Sequence, residues 1–465
     1  MDGMHKLTAH RRVDARRFVT AARSTFVMRV DGSSWPRWRD TWGSAVAYFE
    51  GVLRSGRRKT MRGIARRVEL PHERVEQFIR ESPWRGDALQ EHLVKSIPQE
   101  LRNPRAVLVV DDVGLVKQGD HSVGVHRQYS GALGKVGNCQ VAVDLVHVVP
   151  GKRFNGDQVT WPLGMRLYLP EAWTQDPARR ESVGIPDDVV FQTKPEIALG
   201  MIERARAASV EHEAVGGDAG YGDGADFRRQ LREWREPYVL GVTPSKLRVV
   251  SASARVVGPE RTGGPGAPRK RATYEADARR ESPAQIAGRV KTWERVEWSE
   301  GSKGRLSGLF HRERVRVVEG DAKRRYVTDE EGWLVLEKRR NELKAYVCWG
   351  LDDASLEHLV EIAHSRWAIE QFHRDAKQEL ALDDFEGRTW NGWNHHVGMV
   401  LLAHAFVSTL RARHGVQGRL PSFGKVIKAL VHEIGTQILI DKHAVPWKQA
   451  ARMAADVIRG LTEWG

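Results

Sequence analysis

The sequence predicts an α/β protein with a helical N-terminal region and a β-rich insertion, and three observations carry that expectation. Between residues 101 and 245, short apolar runs rich in β-branched residues alternate with helical stretches, the pattern of strands separated by helices. Residues 1–100 read as helical, with no convincing strand. Residues 246–344 break the alternation with several β-type stretches in succession. The expected organisation is a helical region at 1–100, the first part of an α/β core at 101–245, the insertion at 246–344, and the rest of the core with C-terminal helices at 345–465. At about 150 residues per domain, a 465-residue chain is long enough for two or three such units.

In chain order, Thr60 is placed to cap a helix through Val68, and Pro71 to open a second helix running to Ser82. The short link Glu69–Leu70 gives the pair helix-turn-helix dimensions, with Ile64, Ala65, Val68, Val75, Phe78 and Ile79 as the shared core. Arg57, Arg58, Lys59, Arg62, Arg66 and Arg67 decorate it as a phosphate-binding face would, although a plain helical hairpin with a solvated basic face gives the same pattern. Ala106–Val110, Cys139–Val149, Leu163–Leu169, Ala214–Gly217 and Tyr238–Val242 read as strands, and Pro195–Ala208 as a helix. Gly258–Lys270 is a Gly/Pro-rich basic loop. β-type stretches lie around Arg289–Trp298, Leu306–Val318 and Gly332–Leu336. The core resumes at Leu343–Trp349 and turns helical over Ser355–Leu380, His395–Arg413 and Phe423–Ile434.

Composition excludes several classes of function. With 41% hydrophobic and 29% charged residues, the chain can bury a sizeable core, which rules out a disordered regulator. The longest apolar run, Val397–Leu410, contains His404 and is too short to span a bilayer. Arginines rather than a secretory apolar stretch follow the start, and two cysteines build neither a disulfide framework nor a thiolate zinc site. The expectation is a cytoplasmic, nucleoid-associated protein with no membrane partner. A net charge of +14 and a pI near 9.8 point to a polyanion such as DNA or RNA.

Three carboxylates stand where phosphodiester chemistry would want them. Asp112 and Asp218 end two apolar strands, where α/β sheets place ligand-binding groups. Glu370 falls on one helical stripe with Arg366 and Lys377, because offsets of four and seven residues return to nearly the same angle. Hard carboxylates hold paired divalent ions, and Arg and Lys clamp phosphates. Each piece has an ordinary alternative: a turn or cap for a strand-terminal Asp, and a surface ion-pair ladder for the helical stripe.

The stretch VVDDVGLVKQGDHSVGVHRQYSGALGKVGNCQ (109–140) resembles the first catalytic block of insertion-sequence transposases of the IS701 type, relatives of the IS4 group within the DDE superfamily. GGDAGYGD (216–223) is similar to the second block. RWAIEQFHRDAK (366–377) is similar to the third, whose signature Tyr-x2-Arg-x3-Glu-x6-Lys falls on Arg366, Glu370 and Lys377, with Ala363 in place of the Tyr. TMRGIARRV and ESPW (60–68 and 81–84) also look like this family, and the resemblance covers about residues 35–410.

The resemblance implies a ribonuclease-H-like core, a β-rich insertion in the 152 residues between Asp218 and Glu370, and a catalytic, metal-holding triad of Asp112, Asp218 and Glu370. Asp111 adjoins Asp112 and faces the opposite way, so the first position stays open between them, with Asp112 favoured by alignment. Two Mg2+ ions are implied, with Mn2+ able to substitute. The implied partners are double-stranded DNA, as terminal inverted repeats and target, and a second copy of the chain in the DNA complex. Arg366 and Lys377 are expected at phosphate, together with the basic residues around 57–66. Trp298, with Trp293 and Trp333, is a candidate to stack on a base at the cleaved end. The histidines near the third block (His364, His373, His395, His396, His404) match no zinc spacing, so His373 and His395 are expected on phosphate or core carbonyls. Lys117, Arg127 and Lys135 are further candidates to approach DNA. A ribonuclease-H-like nuclease or resolvase, and a domesticated, non-catalytic DNA-binding protein, are the rival readings.

Overall fold

The computed structural model describes residues 27–454, apart from 31–36, 55–58, 131–133, 152–156, 259–270, 276, 302–303, 320–325, 414–419, 444–445 and 448. Arg57, Arg58 and nearly all of the Gly/Pro-rich basic loop lie outside the described residues.

Two antiparallel strands, β1 (Val27–Val30) and β2 (Arg37–Asp40), precede four helices, α1 (Trp42–Leu53), α2 (Met61–Val68), α3 (His72–Arg80) and α4 (Gly86–Lys95). The expectation of an all-α N-terminal region is corrected by that ribbon. Val27, Val30 and Trp38 are strand formers, and Arg29 lies directly across from Trp38, so cross-strand pairing prevails in a stretch without helical periodicity. The helix pair α2–α3 forms where local chemistry dictates. Thr60 accepts the Gly63 N–H as N-cap, Glu69 closes α2 in the left-handed conformation, and Ile64, Ala65, Val75, Phe78 and Ile79 are buried.

The core sheet begins with β3 (Val107–Val116), β4 (His126–Ser130), β5 (Lys135–Val149) and β6 (Val159–Leu167). Short helices α5 (Glu171–Thr174) and α6 (Pro177–Val183) lead to α7 (Lys194–Ala207), which Thr193 and Glu196 start with a reciprocal capping box. Then come β7 (Ala214–Gly217), α8 (Ala219–Gly222), α9 (Ala225–Glu233) and β8 (Tyr238–Val242). Strands β3, β5 and β6 are antiparallel neighbours, and β7 and β8 run parallel to β3 on its other side. β3 does not stop at its acidic pair: β5 supplies hydrogen-bond partners as far as Val116, so Asp111 and Asp112 sit within the strand rather than at its end.

Residues 246–344 extend this same sheet. After β9 (Val249–Ser251), a minor ribbon of β10 (Val256–Val257) and β11 (Thr273–Tyr274), and α10 (Pro283–Arg289), strands β12 (Glu294–Gly301), β13 (Gly304–Glu319) and β14 (Tyr326–Lys338) pair in succession. β15 (Leu343–Trp349) joins β14 to β8, which makes one sheet of eleven strands among the described residues.

The C-terminal helices are α11 (Leu356–His364), α12 (Arg366–Leu380), α13 (Trp390–Arg413) and α14 (Phe423–His443). The single helix expected over Ser355–Leu380 is interrupted at Ser365, whose N–H and hydroxyl both donate to the Glu361 carbonyl. α13 is the hub: Val397–Leu410 is wholly buried, and it packs on α1, α3, α4, β6 and α14. The apolar run is therefore interior helix, and no described helix is long and apolar enough to cross a membrane.

Candidate active site

The pleat of β3 decides which acid faces which helix. Asp111 lies directly opposite Asp144 in the β3–β5 ladder, and Asp112 opposite Val143. Successive residues project to opposite faces. On Asp111's face lies α12, whose Arg366 reaches Asp111 Oδ2 at 3.0 Å and whose His373 Nε2 meets Asp144 Oδ2 at 2.7 Å. On the other face lies α7, whose Lys194 ammonium donates to Asp112 Oδ2 at 2.5 Å. Arg366 thus links Asp111, rather than the alignment-favoured Asp112, to Glu370.

Asp218 follows directly on β7, whose last parallel pairing with β3 is Gly216 beside Val109, two residues before Asp218 and Asp111 along each chain; its charge acts on Asp111. Asp218 caps the four-residue α8 by accepting the Gly220 N–H at 2.8 Å. The glycines of GGDAGYGD serve this approach: a Cβ on Gly222 would lie 1.9 Å from the Gly241 carbonyl oxygen, so α8 docks on β8 only with glycine there. Glu370 sits one turn into α12 and accepts from Arg366 at 2.7 Å. Arg366 thus grips Asp111 and Glu370 with its two terminal nitrogens, the forked geometry in which guanidinium exceeds ammonium.

The electrostatics of this group are strained. Burial pushes the Asp111 carboxyl up to about 7; Arg366 and His373 oppose that rise, while Asp218 and Asp144 add to it. Burial also raises Asp144, which is fully enclosed, and His373 only partly offsets it. Burial alone would lower His373, but the Asp144 carboxylate turns the shift upward and favours the charged imidazolium. Asp144 went unrecognised in the sequence, although a lone acid in the apolar run VAVDLVHVV was a signal. His373 bonds this carboxylate rather than a phosphate or a carbonyl. His395 lies on the Ile79 and Trp84 carbonyls, as expected.

The donors present suit a divalent cation chemically: they are hard carboxylate oxygens, and burial, with the neighbouring acids adding to it, raises Asp111, so a cation would relieve the group. Among the described residues no three His, Cys, Asp or Glu side chains already converge on one point. Glu370 is instead turned to Arg366.

Other expected site residues are scattered. Lys377 donates to the Gly114 carbonyl at 3.1 Å and ties α12 to β3. Lys59 is buried, with its ammonium on the Val52 and Glu379 carbonyls, and burial lowers it to about 8. Its place on a basic outer face is corrected: the ammonium turns inward to satisfy two backbone carbonyls, and its backbone N–H donates to Asp384. Arg62 and Arg66 are exposed on α2. Trp298 stacks on His364, with centroids 4.0 Å apart, and meets Phe310 edge-on. Trp333 lies beneath the Arg312 and Arg314 guanidinium groups.

Comparison with known proteins adds two findings. The profile of a family described as DDE superfamily endonuclease matches residues 37–305. A protein of Microchaete diplosiphon described as a probable transposase for insertion sequence element IS701 is 30% identical over 194 residues, which is 41% of this chain and 46% of that relative. The chain thus matches about half the length of that relative.

Proposed function

The matched stretch covers more than half of the chain, so the protein belongs to the DDE superfamily endonucleases, and from that premise we propose that it is an insertion-sequence transposase. It excises an element at its terminal inverted repeats and joins the freed ends to target DNA. The observation that carries this reading is the Arg366 bridge between Asp111 and Glu370, with Asp218 at the end of β7 beside β3. The three acids come from a strand, a strand end and a helix far apart in sequence.

The strand order β6-β5-β3-β7-β8, three antiparallel strands followed by two parallel to the first, supports a ribonuclease-H-like core. In this reading Asp111, Asp218 and Glu370 are the catalytic triad and hold the divalent ions, Mg2+ or Mn2+. When bound, the ions supply activation of the attacking oxygen and neutralisation of charge on the scissile phosphate. Arg366 keeps Asp111 and Glu370 oriented and offers a guanidinium to the phosphate. A water cleaves the phosphodiester and frees a 3′-hydroxyl, which then attacks a phosphodiester of the target. Lys377 fixes the height of α12 on β3. Arg62 and Arg66, on the exposed side of the α2–α3 pair, bind the repeat backbone. Two ends joined in one event require two copies of the chain in the DNA complex.

Labelled duplexes carrying the gene's flanking repeats test the proposal. Glu370→Gln should bind them as the parent does and fail to cut, since it removes a carboxylate and little volume. Loss of binding would make Glu370 structural and contradict the assignment. Junction cutting without preference for the repeats would favour a resolvase instead.

A further inference from the structure

Asp144 has no role in the triad, yet it is the most enclosed carboxylate near it. It is 0% exposed, it lies directly across the ladder from Asp111, and its Oδ2 accepts from His373. Its Oδ1 is buried with no hydrogen-bond partner among the described residues. A carboxylate oxygen left bare in the interior is costly, and like charges directly opposite on neighbouring strands repel. Cβ atoms of such a pair stand roughly 4.5–5.5 Å apart. That spacing lets two carboxylates share one cation at metal–oxygen distances of about 2.1 Å.

We propose that Asp144 is a fourth carboxylate of the divalent-metal centre, with His373 as the hydrogen-bond partner that orients it. This rests on the metal-holding role assigned above to Asp111, Asp218 and Glu370. His373, one turn beyond Glu370 on α12, then couples the helix to the floor of the site through Asp144 rather than through DNA. Hydrogen-bond partners of metal ligands commonly change metal affinity by about 10–100-fold.

The test is Mn2+ binding to the full chain without DNA, followed by calorimetry and by the metal-induced rise in melting temperature. Asp144→Asn keeps shape and one oxygen, and should weaken Mn2+ by at least about tenfold; His373→Gln should weaken it by about tenfold. Unchanged affinity in a folded Asp144→Asn protein, while Asp111→Asn loses it, would overturn the proposal and leave the triad standing. Unchanged affinity in Asp111→Asn as well would refute the metal centre itself. Should Asp144→Asn not fold, His373→Gln decides the matter, since unchanged Mn2+ affinity there removes the pair from the site.

Discussion

Arg366 holds two carboxylates at once, and its value lies in the fork rather than in the charge. Arg366→Lys should therefore remain nearly as defective in DNA cleavage as Arg366→Ala, each slower by about 100-fold, the scale of losing one transition-state donor. Restoration of parent rates by lysine in a single-turnover cleavage assay would show that charge alone suffices. A companion comparison sits one position apart on β3. Asp111→Asn should abolish cleavage, whereas Asp112→Asn, which loses only the Lys194 pair on the other face, should retain it. The sequence carried the acids, the Arg and the Glu, because motif spacing survives without coordinates. It left the choice between Asp111 and Asp112 open, because that depends on which face of the strand α12 covers. The burial of Lys59 was equally hidden, since a lysine in a basic run looks the same whether its ammonium meets water or the Glu379 carbonyl.

Among the elements, the helices with caps and apolar periodicity were legible. Thr60, the Glu69–Leu70 link and the core of α2–α3 all fall where local chemistry puts them. The β1–β2 ribbon and the interruption at Ser365 were not, because one needs a cross-strand partner and the other is confined to a single residue. The union of β12–β14 with the core sheet was also invisible, since strand order is set by long-range pairing. One consequence is an anchor between that extension and α9. Glu330, buried on β14, receives Arg228 at 2.7 Å, Arg232 at 3.1 Å and the Tyr238 hydroxyl at 2.6 Å. Glu330→Gln leaves the buried Arg228 without its carboxylate, while Arg232 keeps Asp329, and should destabilise the protein by about 3 kcal/mol. Urea denaturation measures this, and a loss below 1 kcal/mol would mean that solvent reaches the pair.

For the whole molecule, α13 makes stability depend on pH. Burial lowers His396 to about 4 and His404 to about 3, against an ordinary value near 6.5. The unfolded chain thus binds protons that the folded chain refuses between those limits. Stability is full above about pH 6.5 and declines as pH falls toward 4, by up to about 1.4 kcal/mol per pH unit for each histidine. Melting temperatures recorded from pH 7.5 to 5 should fall, and less steeply in His404→Leu; parallel curves would remove His404 from the cause.

The central claim is that this fold builds one metal-dependent DNA-cutting centre from Asp111, Asp218 and Glu370. The most direct measurement uses purified protein and a supercoiled plasmid bearing the gene's own flanking DNA, with Mg2+ or EDTA, and maps every cut to the nucleotide. The account predicts Mg2+-dependent cuts confined to the two inverted flanks and absent in Asp111→Asn and Glu370→Gln. Cuts scattered without regard to the flanks, or cuts that persist in either variant, would contradict it.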